Sequence, residues 1–457
     1  MVFFAVLFVG MIAYLIYFQV AKSEEVANNS YNSRLEDAEE DVTRGTIYSS
    51  DLQKLAYTET DEDGNETRVY PFGNVFAQVV GYTKHGKAGI EKLCDYYLLS
   101  TSSGIFEQLA HEFYGTKDVG GNVITTLNTS LQQAAYDALG DDDGAVVIIE
   151  PDTGKILAMV SKPDYDPNEI NDIWDDIVSD DDNTSLLNRA TQGLYTPGSI
   201  FKIFTTIAYV RQSDDYESFS FYCDGSETFS SGTINCFNKT SHGTEDLKAS
   251  FAYSCNGAFA TIGTLLDIDG YIDTCEDLLF NSELPIDLDY SKSKFNLTSE
   301  SSTFDVTQTA IGQGTTLVTP IHMAMIAAAV ANDGVLMKPY LVTEIEDYTG
   351  TTMEKYSPEE YERLFDESEA ALLQEYMSAV TEYGTAKALG TSSSYSAAGK
   401  TGTAQLDDDD NINSWFVGYA SDDDGREIAI CVVLENVAQG SSSASSAAGE
   451  IFDAYFD

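Results

Sequence analysis

Val2 to Tyr17 is an almost unbroken apolar run, and it extends to Val20 with only Gln19 intruding. A globular domain has no way to solvate such a run. About 20 apolar residues are what a helix needs to cross a bilayer. A cleaved signal peptide would need a shorter apolar core and a small-x-small site, which Val20-Ala21-Lys22-Ser23 fits poorly. A retained anchor over residues 1–21 is therefore expected, making this a single-pass membrane protein. No Lys or Arg precedes the run to orient it. The polar, acidic chain that follows reads as one extracytoplasmic ectodomain.

The chain has 457 residues, enough for two or three domains, and its 43% hydrophobic and 12% aromatic content supports a sizeable core. Against 24 Lys and Arg stand 75 Asp and Glu, a formal charge of -51. That field repels phosphate backbones and argues against a nucleic-acid partner. Four aspartate clusters, 141–143, 180–182, 407–410 and 422–424, read as solvated turns. Asp407 to Asp410 stands out because it closely follows a candidate binding motif.

Residues 22–43 read as a stalk within an N-terminal domain over 22–122. Asp61-Glu62-Asp63-Gly64-Asn65 marks a hairpin tip. A second domain is expected over 123–457. It opens with a strand at Val123–Leu127 and a helix through Leu131, Ala135 and Leu139. Ala145–Ile149 and Ile156–Val160 flank Pro151-Asp152-Thr153-Gly154 and read as a second hairpin. Helical patterns dominate from Phe201 to about Ala331. Ser414–Ala420 and Ile428–Leu434 read as strands, and Ala447–Phe456 as a closing amphipathic helix. Strands at both ends with helices between predict an α/β sheet domain carrying a helical insertion.

Six cysteines occur, at 94, 223, 236, 255, 275 and 431, with no C-x-x-C pair. Cys223 and Cys236 share one loop-like stretch and are read as a disulfide, permitted outside the cytoplasm. Adding His242 gives three zinc candidates without a standard spacing, so no metal and no cofactor are expected.

Three segments carry chemistry. In Tyr195-Thr196-Pro197-Gly198-Ser199-Ile200-Phe201-Lys202, the Pro-Gly turn leads into a helix that places Ser199 and Lys202 on one face. A serine hydroxyl is a weak nucleophile that needs an adjacent base, and a lysine serves if burial lowers its pKa. In Tyr253-Ser254-Cys255-Asn256-Gly257 a hydroxyl and an amide lie two residues apart, able to face one cleft. In Ala398-Gly399-Lys400-Thr401-Gly402-Thr403 small residues surround one lysine on a strand. Lys400, Thr401 and Thr403 offer charge and hydrogen bonds to a carboxylate, while Gly402 leaves room for close approach.

Taken alone, each segment has a bland reading as a helix cap, a loop or a stray strand. In this order they resemble the penicillin-binding and serine β-lactamase superfamily, whose signature is S-x-x-K, S-x-N and K-T-G. The similarity extends to Asn188–Gly193, to Ile311-Gly312-Gln313-Gly314 with Thr319-Pro320, and to Asn332-Asp333-Gly334. Arg44-Gly45-Thr46-Ile47 and Gly89-Ile90-Glu91 look like the pedestal of class B penicillin-binding proteins, although Tyr48-Ser49-Ser50-Asp51 replaces the usual charged turn. The subtype it resembles is the short one, without C-terminal wall-binding repeats.

The resemblance implies a transpeptidase-like domain: an antiparallel sheet with flanking helices and a helical insertion, behind a small pedestal. It implies a peptidoglycan D,D-transpeptidase that takes a D-Ala-D-Ala stem peptide as donor and an amine acceptor, and that is acylated by β-lactams. Ser199, Lys202, Ser254 and Lys400 would be catalytic. Asn256, Thr401, Gly402 and Thr403 would bind substrate. A polytopic glycan polymerase would be the partner. A D,D-carboxypeptidase and a β-lactam-binding sensor or degenerate binding module are the alternatives. A Ser-His-Asp hydrolase is disfavoured, with four histidines and no G-x-S-x-G elbow at Ser199.

Overall fold

Arg44 and Glu91, from the two pedestal-like segments, meet as a buried ion pair that organises the N-terminal unit. The computed structural model describes residues 2–21, 39–101, 117–230, 232–406, 411–438 and 443–457. Asp407 to Asp410 and most of the stretch read as a stalk lie outside them. The chain divides into one unit of residues 1–125, 166–174 and 342–356, and a second of 126–165, 175–341 and 357–457.

In the first unit, Arg44 Nε is 2.6 Å from Glu91 Oε2, Arg44 Nη1 is 2.5 Å from Asp95 Oδ1, and Arg68 Nε is 2.7 Å from Glu91 Oε1. Burial alone would raise the Glu91 pKa, but Arg68 and Arg44 pull it below the usual carboxylate range. A six-stranded sheet runs in the order 352–355, 342–346, 122–125, 47–48, 54–60, 66–69. The hairpin tip forms where expected: Asp61 Oδ1 accepts from the N–H groups of Asp63 and Asn65. Strands 342–346 and 352–355 join this sheet from late in the chain, a return that local periodicity does not announce.

Val2–Ala21 is helical, and side chains described in it, from Phe3 to Tyr17, are exposed. Among the described residues no helix is long and apolar enough to cross a membrane.

The second unit is built on five antiparallel strands: β1 (Gly144–Ile149), β2 (Ile156–Lys162), β3 (Ser396–Gln405), β4 (Asn411–Ser421) and β5 (Glu427–Ala438), in the order β3-β4-β5-β1-β2. β1 and β2 are the expected hairpin. β1 and most of β4 and β5 are buried at successive residues, so both faces of the sheet are covered; this is why they read as continuous apolar runs without alternation.

The covering helices include α1 (Thr129–Leu139), α2 (Lys202–Gln212), α3 (Leu247–Ala252), α4 (Asn256–Leu265), α5 (Pro320–Ala331), α6 (Glu367–Glu382) and α7 (Ala444–Phe456). α7 packs on α1 and on β4 and β5; α5 packs on β1, β4 and β5 and is buried from Pro320 to Val330. Within the expected helical stretch the chain also forms two small ladders, Phe221–Cys223 with Gly243–Glu245 and Ser226–Phe229 with Gly232–Asn235. These strands are three or four residues long, too short for a period of two to show in sequence.

Glu91→Gln would leave two buried guanidinium groups without their shared carboxylate. Losing one partner of a buried ion cluster costs about 3–5 kcal/mol. Chemical denaturation of the full chain should show that loss in the transition of the first unit, while an exposed Glu62→Gln change should be near neutral.

Candidate active site

Ser199 lies in a 3₁₀ turn, Gly198–Phe201, and Lys202 opens α2 directly after it. The tight turn is possible because Gly198 adopts φ +56° and a Cβ there would sit 2.7 Å from the carbonyl carbon of Thr403. The Gly198 N–H donates to Gly312 O at 2.8 Å, and a Cβ on Gly312 would lie 1.7 Å from Gly198 O. The Gly-Gln-Gly segment is thus the backbone clamp of the serine turn. On β3, a Cβ at Gly402 would approach Pro197 O and Ile200 Cγ2 to 2.9 Å. That glycine makes room for the serine turn.

Lys202 is fully buried, and its ammonium donates to four oxygens: Ser199 Oγ at 3.1 Å, Ser254 O at 2.7 Å, Ser254 Oγ at 3.1 Å and Asn256 Oδ1 at 2.7 Å. Two of these come from Ser254, which links α3 to α4 with φ +58°. A left-handed conformation at a non-glycine residue costs about 1–3 kcal/mol and persists only where its surroundings enforce it. Here it turns both the carbonyl and the hydroxyl of Ser254 toward Lys202. Asn256 begins α4 and is held from behind by Nδ2 donating to Asn235 O at 2.9 Å.

Lys400, equally buried, donates to the same Ser254 Oγ at 3.0 Å and to Thr401 O at 3.0 Å. Burial lowers the Lys202 pKa to about 8, against smaller opposing pulls from Cys255, Cys236 and Glu245. Burial, and then the charge of Lys202, holds Lys400 well below its ordinary value. The hydrogen bonds run as a chain from Ser199 through Lys202 and Ser254 to Lys400, a path along which a proton can pass between two amines and two hydroxyls.

The structure therefore brings Ser199, Lys202, Ser254, Asn256 and Lys400 into one hydrogen-bonded group. Gly402 and the backbone of Thr403 pack on the serine turn. The Thr401 hydroxyl pairs with that of Thr385 at 2.5 Å, a partner that no motif signalled. The lead-in segment is also tied in: Arg189 Nε donates to Glu435 Oε2 of β5 at 2.7 Å.

The Cys223–Cys236 disulfide is corrected. Both are free thiols with Sγ atoms 3.7 Å apart, against about 2.05 Å for a bond. A third thiol, Cys255, stands 3.8 Å from Cys236. The sequence treats Cys255 as the filler between Ser254 and Asn256 and gives no local hint that the chain returns two more cysteines to it.

The penicillin binding protein transpeptidase domain matches residues 144–457, and the penicillin binding protein A dimerisation domain matches residues 44–123. The chain is 32% identical to the peptidoglycan D,D-transpeptidase PbpA of Mycolicibacterium smegmatis, over 94% of this chain and 91% of that one. Among solved structures, the D,D-transpeptidase domain of a peptidoglycan glycosyltransferase from Eggerthella lenta superposes with a TM-score of 0.80 at 31% identity, covering 90% of this chain and 97% of that one. The penicillin G acyl-enzyme of penicillin-binding protein A from M. tuberculosis does so with a TM-score of 0.80 at 28% identity, covering 91% and 100%. The chain belongs to the penicillin-binding protein transpeptidase family. Within that family it is a class B member.

Gly312→Ala tests the clamp. Its φ of +78° and the 1.7 Å approach to Gly198 O leave no room for a methyl group, so the serine turn must shift. A cost of at least about 2 kcal/mol is expected, together with a more than tenfold slower covalent labelling by a fluorescent penicillin. Gly314→Ala, where the nearest atom to a Cβ is a side-chain carbon at 3.6 Å, should lose only the backbone part of that cost.

Proposed function

We propose that this class B penicillin-binding protein is a peptidoglycan D,D-transpeptidase working through an acyl-enzyme on Ser199. The observation that carries the reading is Lys202 Nζ touching Ser199 Oγ while sharing Ser254 with Lys400. Lys202, in its neutral form, takes the Ser199 proton as the hydroxyl attacks the penultimate D-Ala carbonyl of a stem peptide. The N–H groups of Ser199 and Thr403 receive the oxyanion, a contribution of about 3 kcal/mol per donor. Ser254, fed by Lys400, returns a proton to the departing D-Ala. Asn256 holds the donor's amide, and Thr401 and Thr403 its terminal carboxylate, while Gly402 lets the strand pack against the serine turn. An amine of a second stem peptide then releases the serine and leaves a cross-link. β-Lactams acylate the same oxygen; the solved structures of the M. tuberculosis relative include a penicillin G acyl-enzyme complex.

We assign residues 1–21 as a single membrane anchor with the catalytic unit outside the cytoplasm. The support is a run of twenty residues without a charged side chain, about 30 Å long as a helix. Removing residues 1–21 should move the protein from the membrane fraction to the soluble one, and equal membrane retention would reject the anchor. A polytopic glycan polymerase is the partner that the family resemblance suggests.

Mass spectrometry after benzylpenicillin should place the adduct on Ser199, and Ser199→Ala should abolish it; labelling that survives the substitution rejects the mechanism. Lys202→Ala should slow acylation about 10²–10⁴-fold. With the Lys202 pKa at about 8, its neutral fraction rises from about 1% at pH 6 to one half at pH 8, and the acylation rate should climb about fifty-fold and then level off.

A further inference from the structure

Beneath the Ser254–Asn256 turn lies a group of side chains that acyl transfer does not use. The ladder Phe221–Cys223 with Gly243–Glu245 and the hairpin ending at Cys236 carry Cys223, Cys236 and His242 to Cys255. One donor atom from each of the four lies within 4.8 Å of all the others. The three cysteines are buried. Cys223 to Cys236 and Cys236 to Cys255 measure 3.7 and 3.8 Å between sulfurs.

Two independent features show that this is not a simple patch of packed thiols. His242 Nδ1 is buried without a hydrogen-bond partner, and so are both carboxylate oxygens of Glu245. Glu245 has a side chain 1% exposed, with Oε1 3.8 Å from that imidazole nitrogen. A carboxylate withdrawn from water with nothing to bond costs several kcal/mol, which a nearby cation would offset. The second feature is metric. Zinc is bound tetrahedrally by Cys and His with Zn–S of about 2.3 Å, which sets sulfur–sulfur edges of about 3.8 Å. Both measured sulfur separations match that edge.

We propose that Cys223, Cys236, His242 and Cys255 form a structural site for one soft divalent cation, zinc by its ligand chemistry, which holds the Ser254–Asn256 turn against Lys202. Three thiolates and an imidazole are a closed zinc set with no position left for a substrate. Glu245, beside the imidazole, adds a negative charge to the cluster. Cys255 is the residue between the two that hydrogen-bond Lys202, and its N–H is held by Ser250 O at 2.9 Å. Fixing its sulfur fixes a turn that includes a left-handed serine. The ion is a positioning device, and it takes no part in bond making.

The full chain, purified in detergent without chelator, should carry about one zinc per polypeptide by elemental analysis. Cys236→Ser and His242→Ala should reduce that to less than a tenth. Should these variants fail to fold, the native chain decides: Zn²⁺ alone should protect Cys223, Cys236 and Cys255 from a thiol reagent, and a chelator should expose them. Chelation should also slow acylation by a fluorescent penicillin about tenfold, with recovery on adding Zn²⁺. A chain that is purified without zinc and takes up none in equilibrium dialysis overturns the site, as does a peptide map showing a Cys223–Cys236 bond. Zinc that binds stoichiometrically while its removal leaves acylation unchanged overturns the positioning role. Metal content is read without any turnover, so a failure of the acyl-transfer mechanism would leave the metal result standing.

Discussion

The Lys202 amine is the group around which the catalytic unit is arranged. Taking it out of water lowers its pKa from 10.5 to about 8, a bias of about 3 kcal/mol toward the neutral form. An ammonium with three protons cannot be buried without acceptors. Four oxygens from three residues converge on it, and all three residues belong to the first two sequence motifs. The burial of the lysine and the gathering of these residues are the same interaction: the chain satisfies Lys202 by bringing Ser199, Ser254 and Asn256 to it.

The surrounding packing serves that convergence. The serine turn is pinned on one side by the Gly312 carbonyl and on the other by the Gly402–Thr403 backbone. Trp415 on β4 donates to Thr196 O at 3.2 Å, tying the residues before the turn to the sheet. A backbone held by hydrogen bonds and close glycine contacts moves little, and small displacements at a reacting oxygen carry large rate penalties. The first unit uses a different device, a buried network of two arginines and two carboxylates. In a chain with a formal charge of -51, the arginines of that network neutralise carboxylates that could not be buried alone.

How much was legible depended on the length scale of the interaction. The β1–β2 hairpin, the tip at Asp61–Asn65, the strands around Lys400 and Trp415 and the closing helix all follow from local signals: turn residues, apolar runs and 3.6-residue spacing. The Ser199 and Lys202 spacing also speaks locally, since neighbours on a helical turn need no tertiary information. The strands 342–346 and 352–355, in contrast, fill a sheet whose other members lie near the start of the chain. The short ladders at 221–245 are held by partners rather than by propensity.

The sequence by itself determined the chemistry available: an apolar segment at the start, a serine and a lysine one helical turn apart, and two further motifs in the right order. Periodicity and turn residues act over a few positions, and that is as far as they reach. Tertiary structure decided the encounters. It gave Lys202 and Lys400 one shared hydroxyl, forced Ser254 into a left-handed turn, and kept Cys223 and Cys236 apart as thiols while adding Cys255 and His242 to them. Those outcomes depend on which buried polar groups find each other when the sheet and its helices close, and only the whole packed chain specifies that.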